Sequence, residues 1–398
     1  MNTRKPANLD VLMDETRSVL KEMQDESLSE KTESLLEQAD ADPMALTTDK
    51  KWYPRFVVWE LTLACNMRCG HCGSTAGKSR ADELNLEEMY RVCDQLGELE
   101  CERLTLLGGE PLIHPHWTDV TKRLQENDIR VNVITNGWTL HEEKVCDDIA
   151  AAGLTIVGIS IDGMKKSHDS LRREGSFDRI AKGMDLLKER GIASAVCTVI
   201  TTDSIRDLGE LHDFIVDKGA KVWQLQIASP LGRLAKDDPL IIKAHQIREV
   251  YDLFYEKRKK NKLSIDLADD VGYYCPWENG SLRTTRKSMS VWTGCHAGIE
   301  VAGIDSNGDV KGCQSLPSTP EFLEGNIRRQ SLVDIWKNPD NFAYNRKFTR
   351  DQLGGYCAEC RYGSLCRGGC GSAAIAHTGK IGNNPMCAYR LEMEKGDD

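Results

Sequence analysis

The sequence predicts an α/β protein: a partial (β/α)6 barrel followed by a small cysteine-rich domain. Three observations predict it. From residue 51, short β-branched runs alternate with stretches of helical period. The runs themselves are almost continuously apolar, as strands of a covered parallel sheet are. From residue 291 the alternation stops, and glycine and cysteine become frequent.

The strands read "FVVWELTL" (56–63), "RLTLL" (103–107), "RVNVI" (130–134), "LTIVGISI" (154–161), "IASAVCTVI" (192–200) and "KVWQLQIA" (221–228). Helical periods fall near 86–98, 117–127, 141–152, 177–190 and 204–217. Six such units suit an open, partial barrel better than a closed eight-stranded one. In either, functional residues belong on loops at the carboxyl ends of strands. Residues 236–290 link this barrel (51–235) to the second domain (291–398). The linking helix ends in "EKRKKNK" (256–262), read as a solvated helix end. In the second domain "GIDSNGDVKGC" (303–313) predicts a hairpin turning at Asn307-Gly308. Ser331 and Asp334 have capping-box spacing before a short helix.

The first fifty residues differ from the rest, with twelve acids against six bases. Leu12, Val19, Leu20 and Met23 share one helical face, and Ser27 and Glu30 have capping-box spacing. The segment reads as an acidic extension, either a partner-binding arm or a loosely docked tail.

Composition narrows the function. The formal net charge of −10 argues against a nucleic-acid partner. No apolar run is long enough to span a bilayer, and "MNTRKPANLD" lacks the apolar stretch of a signal peptide. The expected location is the cytoplasm, where fifteen cysteines point to metal rather than disulfides.

The cysteines carry the chemistry. Cys65, Cys69 and Cys72, spaced C-x3-C-x2-C, lie just past strand 1. Three thiolates hold three irons of a [4Fe–4S] cluster and leave one iron open, the logic by which catalytic zinc sites keep one position for substrate. A zinc site completed by His71 or a remote cysteine is the alternative. Directly after strand 2 stands "GGEP": Gly108 and Gly109 are expected to expose backbone groups to a ligand, and Glu110 to accept from an ammonium. "GSTAGKS" (73–79) imitates a phosphate loop, but three residues rather than four separate its glycines.

A C-x3-C-x2-C after strand 1 with GGEP after strand 2 resembles the radical S-adenosylmethionine (SAM) superfamily. The resemblance implies that SAM chelates the open iron, and that the cluster cleaves it to a hydrogen-abstracting 5′-deoxyadenosyl radical. It further implies that Gly109 and Glu110 meet the SAM amine and that "TNG", with Asn136, follows strand 3 in the site. Ser160 and Asp162 of "SIDG" would face the ribose, and His71 would stand beside the adenine. Arg172 or Arg173 would meet the SAM carboxylate.

Seven further cysteines are spaced C-x12-G-x4-C, then C-x2-C-x5-C-x3-C, then a last C. This resembles the SPASM extension, which implies two auxiliary [4Fe–4S] clusters and three in all. By that resemblance Cys357, Cys360, Cys366 and Cys387 hold one. Cys295, Cys313 and Cys370 hold the other, completed by Cys275 or left open. A zinc module is the alternative. Cys93, Cys101, Cys146 and Cys197 lack partners in the sequence pattern and read as small core residues. Gln314 follows Cys313 where formylglycine-forming members carry an aspartate, and an amide is no base at neutral pH.

The resemblance implies an enzyme that oxidatively modifies, by crosslinking or dehydrogenation, a peptide bearing a leader segment. Its reductant would be a flavodoxin or ferredoxin, and the acidic extension would favour a basic leader. A dehydrogenase of a small sugar or cyclitol alcohol is the second reading, and an iron–sulfur electron-transfer protein the third. No catalytic residue is assigned.

Overall fold

A computed structural model describes residues 27–46, 52–234, 238–258, 263–268, 271, 274 and 292–395. Cys275, the helical face of Leu12 to Met23 and most of the basic run at 259–262 lie outside the described residues.

The chain opens with α1 (Ser27–Ala41). The six expected units follow: β1 (Phe56–Thr62), α2 (Leu86–Glu98), β2 (Arg103–Gly108), α3 (Trp117–Glu126), β3 (Arg130–Thr135), α4 (Glu143–Ala151) and β4 (Ile156–Ser160). Next come α5 (Lys165–Leu171), α6 (Ser176–Glu189), β5 (Ala193–Ile200), α7 (Leu208–Asp217) and β6 (Val222–Ile227). Helix α2 starts where it should because Asn85 and Glu88 form a reciprocal capping box.

Two elements depart from expectation. The linking region holds α8 (Ile247–Arg258) and a seventh parallel strand, β7 (Ser264–Leu267). Four residues, "SIDL", give too short a pattern to read. The hairpin expected at 303–313 is present as β8 (Val301–Ile304) and β9 (Asp309–Lys311), and β10 (Gly325–Asn326) follows. It is not separate from the barrel sheet: β8 pairs parallel with β1, Phe56 against Val301. Among the described residues the strands form one ten-stranded sheet in the order β10-β9-β8-β1-β2-β3-β4-β5-β6-β7.

Strands β1 to β7 lie side by side in chain order, all parallel. With right-handed crossovers, that order puts every crossover helix on the same face. Under the helices lie Trp59, Leu61, Leu104, Leu106, Val133, Val157, Ile159, Val196 and Trp223, all buried in one core. The expectation of apolar strands holds for this face only. The register brings other residues together on the opposite face: Val58, Thr105 and Asn132 in one row, Ser160, Cys197, Gln224 and Asp266 in another. That inner face mixes polar and apolar side chains.

The remaining helices are short: α9 (Leu332–Lys337), α10 (Ala343–Arg346), α11 (Tyr356–Glu359), α12 (Gly363–Cys366), α13 (Gly371–Thr378) and α14 (Ala388–Lys395). Ser331 caps α9 by accepting from the Asp334 amide, as expected. Arg328 clamps this segment to the barrel with a bidentate pair to Glu88 at 2.7 and 2.9 Å. No helix among the described residues is long and apolar enough to cross a membrane.

Leu106→Ala, at the centre of the covered face, should cost about 2–5 kcal/mol. The check is a lower urea midpoint at unchanged slope; a midpoint equal to the parent's would mean this face is not the core.

Candidate active site

The loop after β1 carries Cys65, Cys69 and Cys72, and it is closed on itself. Cys65 donates to the Gly77 carbonyl at 3.2 Å, and Gly77 donates back to Leu63 at 2.9 Å. "GSTAGKS" is thus the return half of the cysteine loop. Arginines hold the loop from outside. Arg233, past β6, donates to the carbonyls of Cys69 (3.0 Å) and Ala76, and Arg173 to that of Asn66 (2.8 Å). Sequence reading missed Arg233, because nothing in "PLGRL" points across the fold. Amides aim at the sulfurs: Met67 N–H at Cys65 Sγ (3.4 Å), Ala76 N–H at Cys72 Sγ (3.3 Å), and Asn136 Nδ2 at Cys65 Sγ (3.6 Å). Burial pushes the Cys65 and Cys69 thiols up, a cost that metal coordination offsets. Buried sulfurs ringed by N–H donors fit an iron–sulfur cluster.

The glycines of GGEP have a packing reason. A Cβ on Gly108, whose φ is +149°, would stand 2.2 Å from the Thr62 carbonyl oxygen. One on Gly109 would stand 2.0 Å from that of Ala64. The Gly109 and Glu110 amides donate to those same carbonyls at 2.7 and 2.8 Å. They are occupied by the cysteine loop and are not open to a ligand. The glycines let the exit of β1 lie against the exit of β2.

Glu110 is fully buried. It accepts from Thr135 Oγ1 (2.7 Å), the Asn136 amide (2.7 Å) and the Leu112 amide (3.1 Å). Burial pushes its pKa up to about 7, against these hydrogen bonds. Asn136 accepts from the Trp138 amide at 2.9 Å and donates to Asn66 Oδ1 at 2.7 Å. Glu110 therefore orders the β3 exit, and the β3 exit in turn grips the cysteine loop.

At the β4 exit, Ser160 is half-buried on the inner face, while Asp162 is fully buried. Asp162 takes Arg172 on both oxygens, the Val199 amide at 3.0 Å and His71 Nε2 at 3.4 Å. Burial would raise this carboxyl, and Arg172 more than offsets it, holding it below its ordinary range. Asp162, expected to face a ribose, is committed to the protein. His71 contacts that carboxylate, and burial lowers it to about 4, so it stands neutral. Of the two arginine candidates, Arg172 is buried on Asp162, whereas Arg173 lies exposed over the Trp138 ring (3.6 Å), which Arg179 covers too (4.1 Å).

Cys357, Cys360, Cys366 and Cys387 line one small cavity with Tyr274, Tyr362 and Tyr389. Burial pushes all four thiols up, and neighbouring backbone amides oppose it: Asn384 at Cys357, Tyr362 at Cys360, Gly369 at Cys366, and Arg390 and Tyr389 at Cys387. Among the described residues no three Cys, His, Asp or Glu converge on a single-ion site. Four thiols on the wall of one cavity fit an iron–sulfur cluster. Cys295 and Cys313 pack with Tyr344 around Ala297, Leu316 and Phe322. Cys295 Sγ lies 4.0 Å from the Cβ position of Gly371, beside Cys370. The turn after Cys313 is fixed by the buried Lys311–Asp305 pair at 3.0 Å, with Lys311 also donating to the Leu316 carbonyl. Cys93, Cys101 and Cys146 are core residues. Cys197 is not: it lies on the inner face beside Ser160.

The radical SAM superfamily model matches residues 59–215, and that of an iron–sulfur cluster-binding domain, SPASM, matches 295–361. The chain is 30% identical over 353 residues to the mycofactocin maturase MftC of Mycolicibacterium smegmatis, covering 86% of each. It is 28% identical over 348 residues to the AdoMet-dependent heme synthase of Methanosarcina barkeri, covering 85% of this chain and 97% of that one. Its fold matches Streptococcus suis SuiB bound to S-adenosylmethionine with a TM-score of 0.66 at 19% identity, over 84% of this chain and 77% of that one. The chain is an enzyme of the radical SAM superfamily. Within it, the chain belongs to the SPASM-bearing branch, using SAM, a [4Fe–4S] cluster and further iron–sulfur clusters. The electron-carrier reading is thereby set aside.

Gly109→Ala should displace the cysteine loop. The expected result is a loss of about four irons per chain after anaerobic reconstitution, with far-UV dichroism retained; full iron content would show that the close approach does not place the loop.

Proposed function

We propose that this enzyme oxidatively modifies a peptide. The observation that carries this reading is the 30% identity, over 86% of both chains, with a mycofactocin maturase. The inner face supports it: Asn132, Gln224 and Gln226 share a face whose amides both donate and accept, as a peptide backbone requires. A tetrapyrrole substrate is the second reading, favoured by a match covering 97% of a heme synthase.

Cys65, Cys69 and Cys72 are the proposed ligands of the SAM-binding cluster. Cys357, Cys360, Cys366 and Cys387 would hold one auxiliary cluster, and Cys295, Cys313 and Cys370 another. Bound there, SAM and its cluster supply a hydrogen-abstracting radical, and the auxiliary clusters an acceptor for the second electron. The protein's residues position these groups. Asn136 steers the Cys65 sulfur, and Glu110 fixes Asn136. Glu110 has three acceptor positions filled, which leaves one for the SAM ammonium. Arg172 and Asp162 form a rigid wall at the β4 exit, and Ser160 is the open polar group there. Arg173 remains the candidate for an anionic group. A flavodoxin or ferredoxin is the proposed reductant.

Replacing Cys65, Cys69 and Cys72 together with Ala should abolish 5′-deoxyadenosine formation with dithionite. Iron should fall from about twelve to about eight per chain; undiminished iron would refute the ligand set. For the substrate, the enzyme is offered a precursor peptide encoded beside its gene, or an iron-bearing tetrapyrrole. Mass spectrometry should show the peptide lighter by two hydrogens. Turnover of the tetrapyrrole with the peptide untouched would establish the second reading instead.

A further inference from the structure

Helix α1 is not a loose tail. Leu35, Leu36 and Ala39 turn inward and are buried, Ala39 completely. They form one apolar cluster with Tyr274, Trp292, Leu365 and Cys366, against which Cys387, Tyr362 and Tyr389 pack. Of these, Tyr274, Cys366, Cys387, Tyr362 and Tyr389 line the four-cysteine cavity, so α1 packs on the outer side of its wall. Both ends of the contact are pinned beside a cysteine. Glu33 pairs with Arg361, the neighbour of Cys360. Asp40 lies 3.4 Å from Arg350, whose guanidinium also donates to the Cys360 carbonyl at 2.9 Å. Past the helix, Met44 Sδ accepts from Arg367, the neighbour of Cys366, at 3.5 Å. Arg367 reaches on to the Cys295 carbonyl at 2.7 Å, in the other cysteine group.

We propose that α1 is the lid of the cavity formed by Cys357, Cys360, Cys366 and Cys387, and that it sets how much water reaches the cluster held there. The proposal rests on the assignment of these cysteines to an auxiliary cluster. Reducing that cluster by one electron adds a negative charge to a site four thiolates already make anionic. Water stabilises the more charged form, so a dry cavity holds the reduction potential down and a wet one raises it. The same exclusion slows oxidative loss of iron. Glu33 and Asp40 of α1 thus meet basic residues of this chain, and its apolar face packs against the cavity wall.

The test uses the full-length, anaerobically reconstituted enzyme. Leu35→Asn combined with Leu36→Asn, and separately Ala39→Trp, lift the helix without changing charge. A dithionite titration followed by EPR should show one auxiliary midpoint raised, and that cluster's iron lost several-fold faster in air. The signal perturbed by SAM should stay where it was. Glu33→Gln with Asp40→Asn, on the exposed side, should give a smaller rise in the same direction and serves if the apolar variants fold poorly. Gln38→Asn, facing solvent, should change nothing. Parent-like potentials and iron loss in both lifted variants, with all clusters present, would overturn the lid. Cys366→Ala separates the two levels: if it keeps the parent's iron, the ligand assignment fails and the lid falls with it.

Discussion

The closeness of two strand exits governs this active site. The backbone of Thr62 to Ala64 runs so near Gly108 and Gly109 that neither position has room for a Cβ. That contact fixes where the cysteine loop leaves the sheet. It also places Glu110 under the β3 exit, where it holds Thr135 and Asn136. Asn136 then reaches back to Asn66 and the Cys65 sulfur. Three consecutive exits, β1, β2 and β3, are thereby locked by one buried carboxylate and two missing side chains. A buried carboxylate of this kind is costly unless its oxygens are filled, and its donors all come from the segments it positions.

The cysteine-rich region joins this frame through buried polar contacts as well as apolar packing. Glu60, nearly inaccessible on the inner face of β1, takes Arg80 from the cysteine loop and the Ser306 amide from the hairpin turn. Arg80 also donates to Ser306 Oγ at 2.8 Å. The loop proposed to hold the SAM cluster and the hairpin beside Cys313 therefore share one carboxylate. With β8 paired to β1, the β8–β9 hairpin leading to Cys313 is an extension of the parallel sheet. A fixed relation between separate redox sites follows naturally from that continuity.

The sheet divides labour between its faces. Sequential strand order puts all crossover helices on one side, so that side carries the core and the other mixes polar and apolar side chains. The same strands thus bury an apolar core on one side and gather polar side chains on the other. Cys197 shows the consequence: in a strand of small and β-branched residues it looks like core, yet register sets it beside Ser160 and Gln224.

By itself the sequence determined the six β/α units, because strand and helix periodicities are local and the first-turn caps are spelled out, as at Asn85 and Glu88. It also pointed to the metal chemistry, through the resemblance carried by C-x3-C-x2-C, GGEP and the seven later cysteines. The turn at Asn307-Gly308 was legible because its signal, like that of the caps, is local. Only the tertiary structure decided what those residues touch. Asp162 looked open and is buried on Arg172, because the β5 edge brings the Val199 amide to it from 37 residues away. The packing necessity at the glycines of GGEP is imposed by another strand and could not be read from the motif. Strand β7 was too short to announce itself, and β8 was assigned to a separate domain because pairing with β1 spans some 245 residues. The packing of α1, the described part of the acidic extension, against the cysteine-lined wall could not be read from its period. Spacing and period are properties of neighbours in the chain; burial, register and the partner of a charge are properties of neighbours in space.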